Sequence, residues 1–287
     1  MFREMTSLHD QRLRIAAIDF LNPAPLMWDF EHVPHAANLA TRYAIQRMLP
    51  SECAASLIAG TSDLGLIPIA ALTPELAIVP GCTIASLDRV RSIQLIVRGT
   101  RPPKEIKTVA ADTASRSSLA YANILFRKFV GNSPTFVPHI ADPVAMLQSA
   151  DAALLIGDPA LLALEARDSI EEQVGPCQWF DIAHEWTTRT GLPWVAAVWA
   201  VRPEAVALPA QLIDDLNQSR IHGLGHIEEL VAEWTPRLAV PPATIHYYLT
   251  QNIHYALDEP CIEAIRLFRS YAAEIDLLPA LPQFNFI

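Results

Sequence analysis

The residues able to do chemistry cluster at strand ends and helix starts. Asp112-Thr113-Ala114-Ser115-Arg116-Ser117-Ser118 lies between a strand-like and a helix-like segment. A helix start offers unpaired N–H groups and the positive end of a dipole, both of which favour an anion. Ser115, Ser117 and Ser118 add hydroxyl donors, and Arg116 adds a fork that matches a carboxylate. The same residues also fit a plain helix cap with spare serines. Asn22 follows the first strand-like run, although before Pro23 it also fits a turn. Ser86 closes Thr83-Ile84-Ala85-Ser86, with Arg89, Arg91 and Ser92 just beyond. Asp158 ends Leu154-Leu155-Ile156-Gly157-Asp158, and before Pro159 it also reads as a cap. Thr190-Gly191-Leu192-Pro193-Trp194 leads into the last strand-like run. Together these describe a site for a small anion.

Other chemistries lack their signatures. The ten glycines form no G-x-G-x-x-G and no G-x-x-x-x-G-K-[ST], so neither dinucleotide nor P-loop binding is signalled. There is no G-x-S-x-G elbow. His222 and His226 have the i, i+4 spacing of two metal ligands, but no third ligand lies nearby in sequence and Gly223 and Gly225 weaken the helix. No metal site and no cofactor is expected. Cys53, Cys82, Cys177 and Cys261 lie far apart, which suits reduced thiols rather than a disulfide frame or a zinc knuckle.

These residues need elements to hold them. Leu13–Phe20, Tyr43–Leu49, Asp63–Pro68, Ala77–Ala85, Ser92–Val97, Thr108–Ala111, Thr135–Pro138, Ala152–Ile156 and Trp194–Val201 read as strands. Cys53–Ala59, Ser117–Phe129, Val144–Ala150 and Ala160–Ala166 read as helices. From Ala207 to Leu278 the period is helical, with breaks at Pro236, Pro241-Pro242 and Pro260. Alternating strands and helices, with continuously apolar strands, predict α/β sheets covered on both faces. Two such blocks followed by a helical tail predict two lobes, with a ligand between facing strand ends. The lobes are drawn as 1–105 with 202–287, and 106–201.

Composition narrows the partners. Half of the 287 residues (51%) are apolar and 18% are charged, which excludes a disordered chain. With 21 basic against 31 acidic residues, bulk attraction to nucleic acid is not expected. No apolar run reaches the ~18 residues of a membrane helix, so no membrane partner is expected. The first ten residues carry no apolar run of the kind an export signal needs, and a cytoplasmic location is expected.

Taken in order, the strand ends resemble one family. Ile18-Asp19-Phe20-Leu21-Asn22 with Pro25-Leu26 is similar to its first-strand motif. Pro50 to Gly60 with Asp63-Leu64-Gly65-Leu66-Ile67-Pro68 is similar to its second. Ile84-Ala85-Ser86 with Val90-Arg91-Ser92-Ile93, the 112–118 segment, Ala152 to Leu161 and Glu185 to Ala200 complete the match. The chain thereby resembles the chorismate dehydratases of menaquinone biosynthesis by the futalosine route, over about Leu13 to Arg202. Phe20 stands where that family carries tyrosine, Asp88 where glycine is common, Ala114 where it carries serine and Ser117 where it carries threonine.

The resemblance implies a two-lobed periplasmic-binding-protein-like (type II) fold with a helical C-terminal tail. It implies a cytoplasmic hydro-lyase, without cofactor, that takes water from chorismate to give 3-[(1-carboxyvinyl)oxy]benzoate. The implied chain is a monomer or a homodimer with a small-molecule substrate. Asn22 and Ser86 are the implied catalytic residues. Arg91, Ser115, Arg116, Ser117, Ser118, Asp158, Thr190, Gly191 and Trp194 are the implied substrate-binding ones. No histidine or glutamate stands out as the base, which leaves a water, the substrate's own carboxylate, or Asp158. Two alternatives stand beside this reading. One is 1,4-dihydroxy-6-naphthoate synthase of the same pathway, which would need a histidine such as His139 or His184. The other is a small-anion-binding protein without catalysis.

Overall fold

The computed structural model describes residues 12–114, 116–281 and 283–287. The apolar run at the start becomes β1 (Leu13–Ile18), parallel to β2 (Tyr43–Met48) and β3 (Leu64–Pro68). β4 is Ala77–Ser86, β5 Ile93–Arg98, β6 Thr108–Asp112, β7 Thr135–His139, β8 Ala152–Ile156 and β9 Cys177–Asp181. β10 is Trp194–Val201, β11 His254–Leu257 and β12 Asn285–Phe286.

They form two sheets. The first runs β11-β4-β10-β3-β1-β2, with β12 beside β4; the second runs β7-β6-β8-β5-β9. β1, β3, β6 and β8, which supply most of the site, are wholly or largely apolar and buried, as inner strands of covered sheets must be. β10 lies antiparallel between β3 and β4, carrying Trp194 to Val201 through the middle of the first sheet.

The sheets divide the chain elsewhere than composition suggests. β5 pairs with β8 and β9 in the second sheet, and β10 pairs with β3 and β4 in the first. Each strand therefore lies in the other sheet from the one the sequence boundaries assign. The crossings are the short stretches 87–92 and 191–193. The polar loop near Arg101 and the Arg202-Pro203 step are turns at one end of a sheet. Polarity marks exposed turns of any kind, so it does not tell a turn at a sheet's end from a crossing between sheets.

The C-terminal part is mainly helical: Pro209–Gly225, Ile227–Leu238, Pro242–Tyr247 and Glu259–Glu274. Two expectations fail there. Pro236 lies inside a helix, near its C-terminal end, and the short strand β11 interrupts the helical run. Tyr248–Asn252 forms a wide π turn closed by Ile253 N–H donating to Tyr248 O at 3.2 Å. No helix among the described residues is long and apolar enough to cross a membrane.

Candidate active site

The C-terminal ends of β1, β3, β6 and β8 converge with the first crossing and the start of β10 on one narrow hollow. This is where strand ends of facing α/β sheets leave a crevice. Asn22, Arg116, Ser117, Ser118 and Trp194 all line it. Its remaining wall is largely apolar, from Ile18, Phe20, Ile84, Ile93 and Ile156.

Asn22 sits in the turn after β1. That turn is held from the other sheet: the Asp158 carboxylate accepts the Leu21 N–H at 3.0 Å. The following residues, Ala24–Met27, make a 3-10 turn packed on the helix Pro209–Gly225. Approach is so close that a Cβ at Gly223 would lie 2.0 Å from the Pro25 carbonyl oxygen, so only glycine fits. Asn22 Oδ1 is buried and has no partner among the described residues.

Ser86 ends β4 directly opposite Trp194 on β10. Two residues earlier Ile84 lines the hollow, and alternation puts Ser86 on the same face. Ser86 Oγ and Trp194 Nε1 are also buried without partners among the described residues. Leaving such a group unpaired costs about 1–3 kcal/mol. Two of them on the wall of one hollow, with Ser86 at the end of the adjoining strand, mark it as built to receive polar groups.

The helix Ser117–Ile124 opens at the hollow's rim. Ser118 is buried there, while Arg116 is exposed and makes no ion pair among the described residues. Ser117 is differently employed. Its Oγ donates to Ala196 O at 2.9 Å and accepts from the Ala70 N–H at 3.3 Å, tying the helix to the first sheet. Ser115 lies outside the described residues.

Other residues named from the sequence stand away from the hollow. The Arg91 guanidinium pairs with Glu165 at 3.3 Å, and its backbone, at φ 62°, gives its N–H to Asp181. Thr190 Oγ1 turns back to Trp186 O at 2.9 Å, and Gly191, at φ 71°, ends the helix Ile182–Thr190. Both are a helix stop rather than a wall. Asp158 is not a helix cap; it reaches across to Leu21. Burial pushes its carboxyl up to about 7, Asp19 adds to this, and the Leu21 N–H opposes it. Gly157 beside it adopts φ 61°, with the Phe20 ring where a Cβ would stand, 2.6 Å away.

Two hydroxyls escape the sequence reading as site residues. Ser92, at the first crossing, lines the hollow and is 2% exposed. Its Oγ accepts from the buried phenol of Tyr248 at 2.8 Å. Tyr248 lies 156 residues further along the chain, so no local signal links the pair.

Histidines keep outside. His222 Nδ1 lies 2.8 Å from the buried Asp29, and His226 Nδ1 meets His222 O at 2.7 Å while its ring stacks on Trp28. The two rings therefore do not converge. His139 meets Ile140 O, and His184 pairs with Asp88. No histidine lines the hollow among the described residues.

Comparison with known proteins gives a family and a fold. A family described as menaquinone biosynthesis matches residues 13–274. A relative named chorismate dehydratase, from Thermus thermophilus, is 30% identical over 271 residues, covering 88% of this chain and 96% of the relative. Among solved structures, protein AF1704 from Archaeoglobus fulgidus superimposes with a TM-score of 0.71 at 13% identity, covering 94% of this chain and all of that one. The periplasmic aliphatic sulphonate binding protein SsuA from Escherichia coli gives 0.66 at 16% identity, covering 96% and 94%. The fold is thus the two-lobed one of periplasmic binding proteins, with a mainly helical C-terminal region.

Proposed function

The chain belongs to the menaquinone-biosynthesis family, and from that premise we propose that it is a chorismate dehydratase, a hydro-lyase that converts chorismate to 3-[(1-carboxyvinyl)oxy]benzoate. The observation that carries this reading beyond family membership is the hollow itself. Among the described residues it gathers two buried polar atoms without partners, of Asn22 and Trp194, with Arg116, a cation without an ion pair there, at its rim, and Ser86, paired with Trp194 across the strands, ends β4 beside it.

Chorismate bears two carboxylates, a ring hydroxyl, and a C–H on the neighbouring ring carbon that holds the enolpyruvyl ether. Loss of that proton and of the hydroxyl, with the C–H electron pair entering the ring, releases one water and leaves a benzene ring. The product is aromatic, so the step is downhill and the barrier lies in proton removal and hydroxyl departure. Chorismate also rearranges or loses pyruvate, so holding one conformer selects the outcome.

The roles follow from placement. Arg116 and the start of the helix Ser117–Ile124, with Ser118, hold one carboxylate. Ser86 and Trp194 Nε1, facing from β4 and β10, hold the other or the ring hydroxyl. Asn22 hydrogen-bonds the departing hydroxyl or the ether oxygen. The apolar wall keeps water out and strengthens each polar contact. Ser117 acts by fixing the helix, and Asp158 by fixing the turn that carries Asn22. Asp158 faces Leu21 N–H, so the base in this reading is the substrate's own carboxylate or a water. The absence of a histidine among the described lining residues favours this reaction over one that needs a histidine base.

Incubating the protein with chorismate and following mass decides the matter. A product lighter by one water, co-eluting with synthetic 3-[(1-carboxyvinyl)oxy]benzoate, is expected. Unchanged chorismate, beyond its spontaneous decay, would leave a binding protein.

A further inference from the structure

Ser92 stands where the chain first crosses between sheets. Its backbone is fully engaged: its N–H donates to Val90 O and its carbonyl accepts from Gly157 N–H, both at 2.8 Å. Among the described residues its side chain, on the hollow's wall, hydrogen-bonds only the Tyr248 phenol, at 2.8 Å. Tyr248 is wholly buried, at the first position of the π turn, an irregularity found often at functional sites. The Asn22 side chain lies alongside the same phenol. Burial pushes that phenol far above its ordinary value, and Asp158 and Asp181 add to the shift against opposing contacts from Ser92 and Asn22. Tyr248 therefore keeps its proton and has one to give.

We propose that Tyr248 and Ser92 form a two-hydroxyl relay that aims a hydrogen-bond donor into the hollow beside Asn22. Each hydroxyl has a single proton. Tyr248 gives its proton to Ser92 Oγ, so the Ser92 proton must point elsewhere. No other side chain among the described residues takes it, and the open direction is the hollow. Resting on the dehydratase reading, the donor meets the departing ring hydroxyl, whose oxygen gains negative charge as its C–O bond breaks. A donor placed where charge develops acts on the transition state more than on substrate binding. Ser92 touches the substrate; Tyr248 is a positioning residue that acts through it.

The test is a double-mutant cycle in kcat and KM for chorismate. Ser92→Ala is expected to lower kcat about 100-fold. Tyr248→Phe, which keeps the ring and its packing, is expected to lower kcat about 10-fold with KM within threefold. The double variant should be no slower than Ser92→Ala alone, because Tyr248 has then lost the group it acts through. Unchanged kcat in Tyr248→Phe, or losses that multiply in the double variant, would overturn the relay. The buried phenol proton gives a readout that does not depend on turnover. It should appear as a slowly exchanging hydroxyl resonance, absent in Tyr248→Phe and shifted in Ser92→Ala; a resonance that ignores Ser92→Ala overturns the relay. If the wild-type protein leaves chorismate intact, the dehydratase reading fails and the resonance alone decides on the relay.

Discussion

Replacing Asp158 by asparagine should make the protein more stable in alkali and leave it unchanged in acid. The Asp158 side chain is 9% exposed and faces the Leu21 N–H across the two sheets. Burial raises its pKa to about 7 in the folded protein, against about 3.9 in an unfolded chain. A raised folded value means that the native state holds the proton more tightly. Its contribution to stability is then complete below about pH 4, falls as pH rises, and is lost once pH passes about 7. Roughly three pH steps at 1.36 kcal/mol each set an upper limit of about 4 kcal/mol. Local relaxation around the carboxylate lowers this, so about 1–4 kcal/mol is expected. Asparagine keeps the shape and an acceptor for Leu21 N–H but does not titrate. Urea unfolding of both proteins from pH 4.5 to 8.5 isolates the effect. Asp112 and Asp181, whose carboxyls are also raised by burial, are common to both and cancel. The stability difference should grow in favour of Asp158→Asn from pH 5 to 8. A difference flat across that range would refute the reasoning, because it would mean that Asp158 is ionised throughout.

Other perturbations reach the hollow directly. Asn22→Ala and Ser86→Ala should each cut turnover of chorismate about 100-fold or more with little change in melting temperature, as steady-state rates and thermal scans will show. Arg116→Ala should raise KM about tenfold or more while leaving stability within about 0.5 kcal/mol, since the side chain is exposed and makes no ion pair among the described residues; an unaltered KM in the same assay counts against its carboxylate role. Gly157→Ala forces a Cβ against Phe20 at φ 61° and should cost about 1–3 kcal/mol in urea unfolding, with a higher KM as the ring is pushed into the hollow.

Much of this was legible in the chain. β1, β6, β8 and β10 announce themselves because strands buried on both faces must be apolar without interruption. β9, the polar edge strand Cys177–Asp181, and β11, four residues within a helical stretch, carry no such pattern. The site divides the same way. Asn22, Ser86 and Trp194 are singled out by where apolar runs begin and stop, and Asn22 and Trp194 line the hollow. Arg91 and Thr190 also follow that rule, yet nearby partners, Glu165 and the Trp186 carbonyl, draw them off. Tyr248 is invisible to it, because a helical period says nothing about which strand end the helix will cover. Membership of the two sheets differs from the sequence boundaries at β5 and β10, since pairing of distant strands leaves no mark in local composition.

The route of the chain also fixes an order of assembly. Every strand of the second sheet, β5 to β9, lies within 93–181, so that sheet can pair as soon as one continuous stretch has been synthesised. The first sheet cannot close then: its middle position awaits β10, and its edge awaits β11 more than fifty residues later. Until β10 arrives, β3 and β4 present bare edges to the surroundings. Synthesis from the N-terminus thus leaves the earliest strands waiting longest, and the nascent chain's greatest exposure to aggregation falls in that interval.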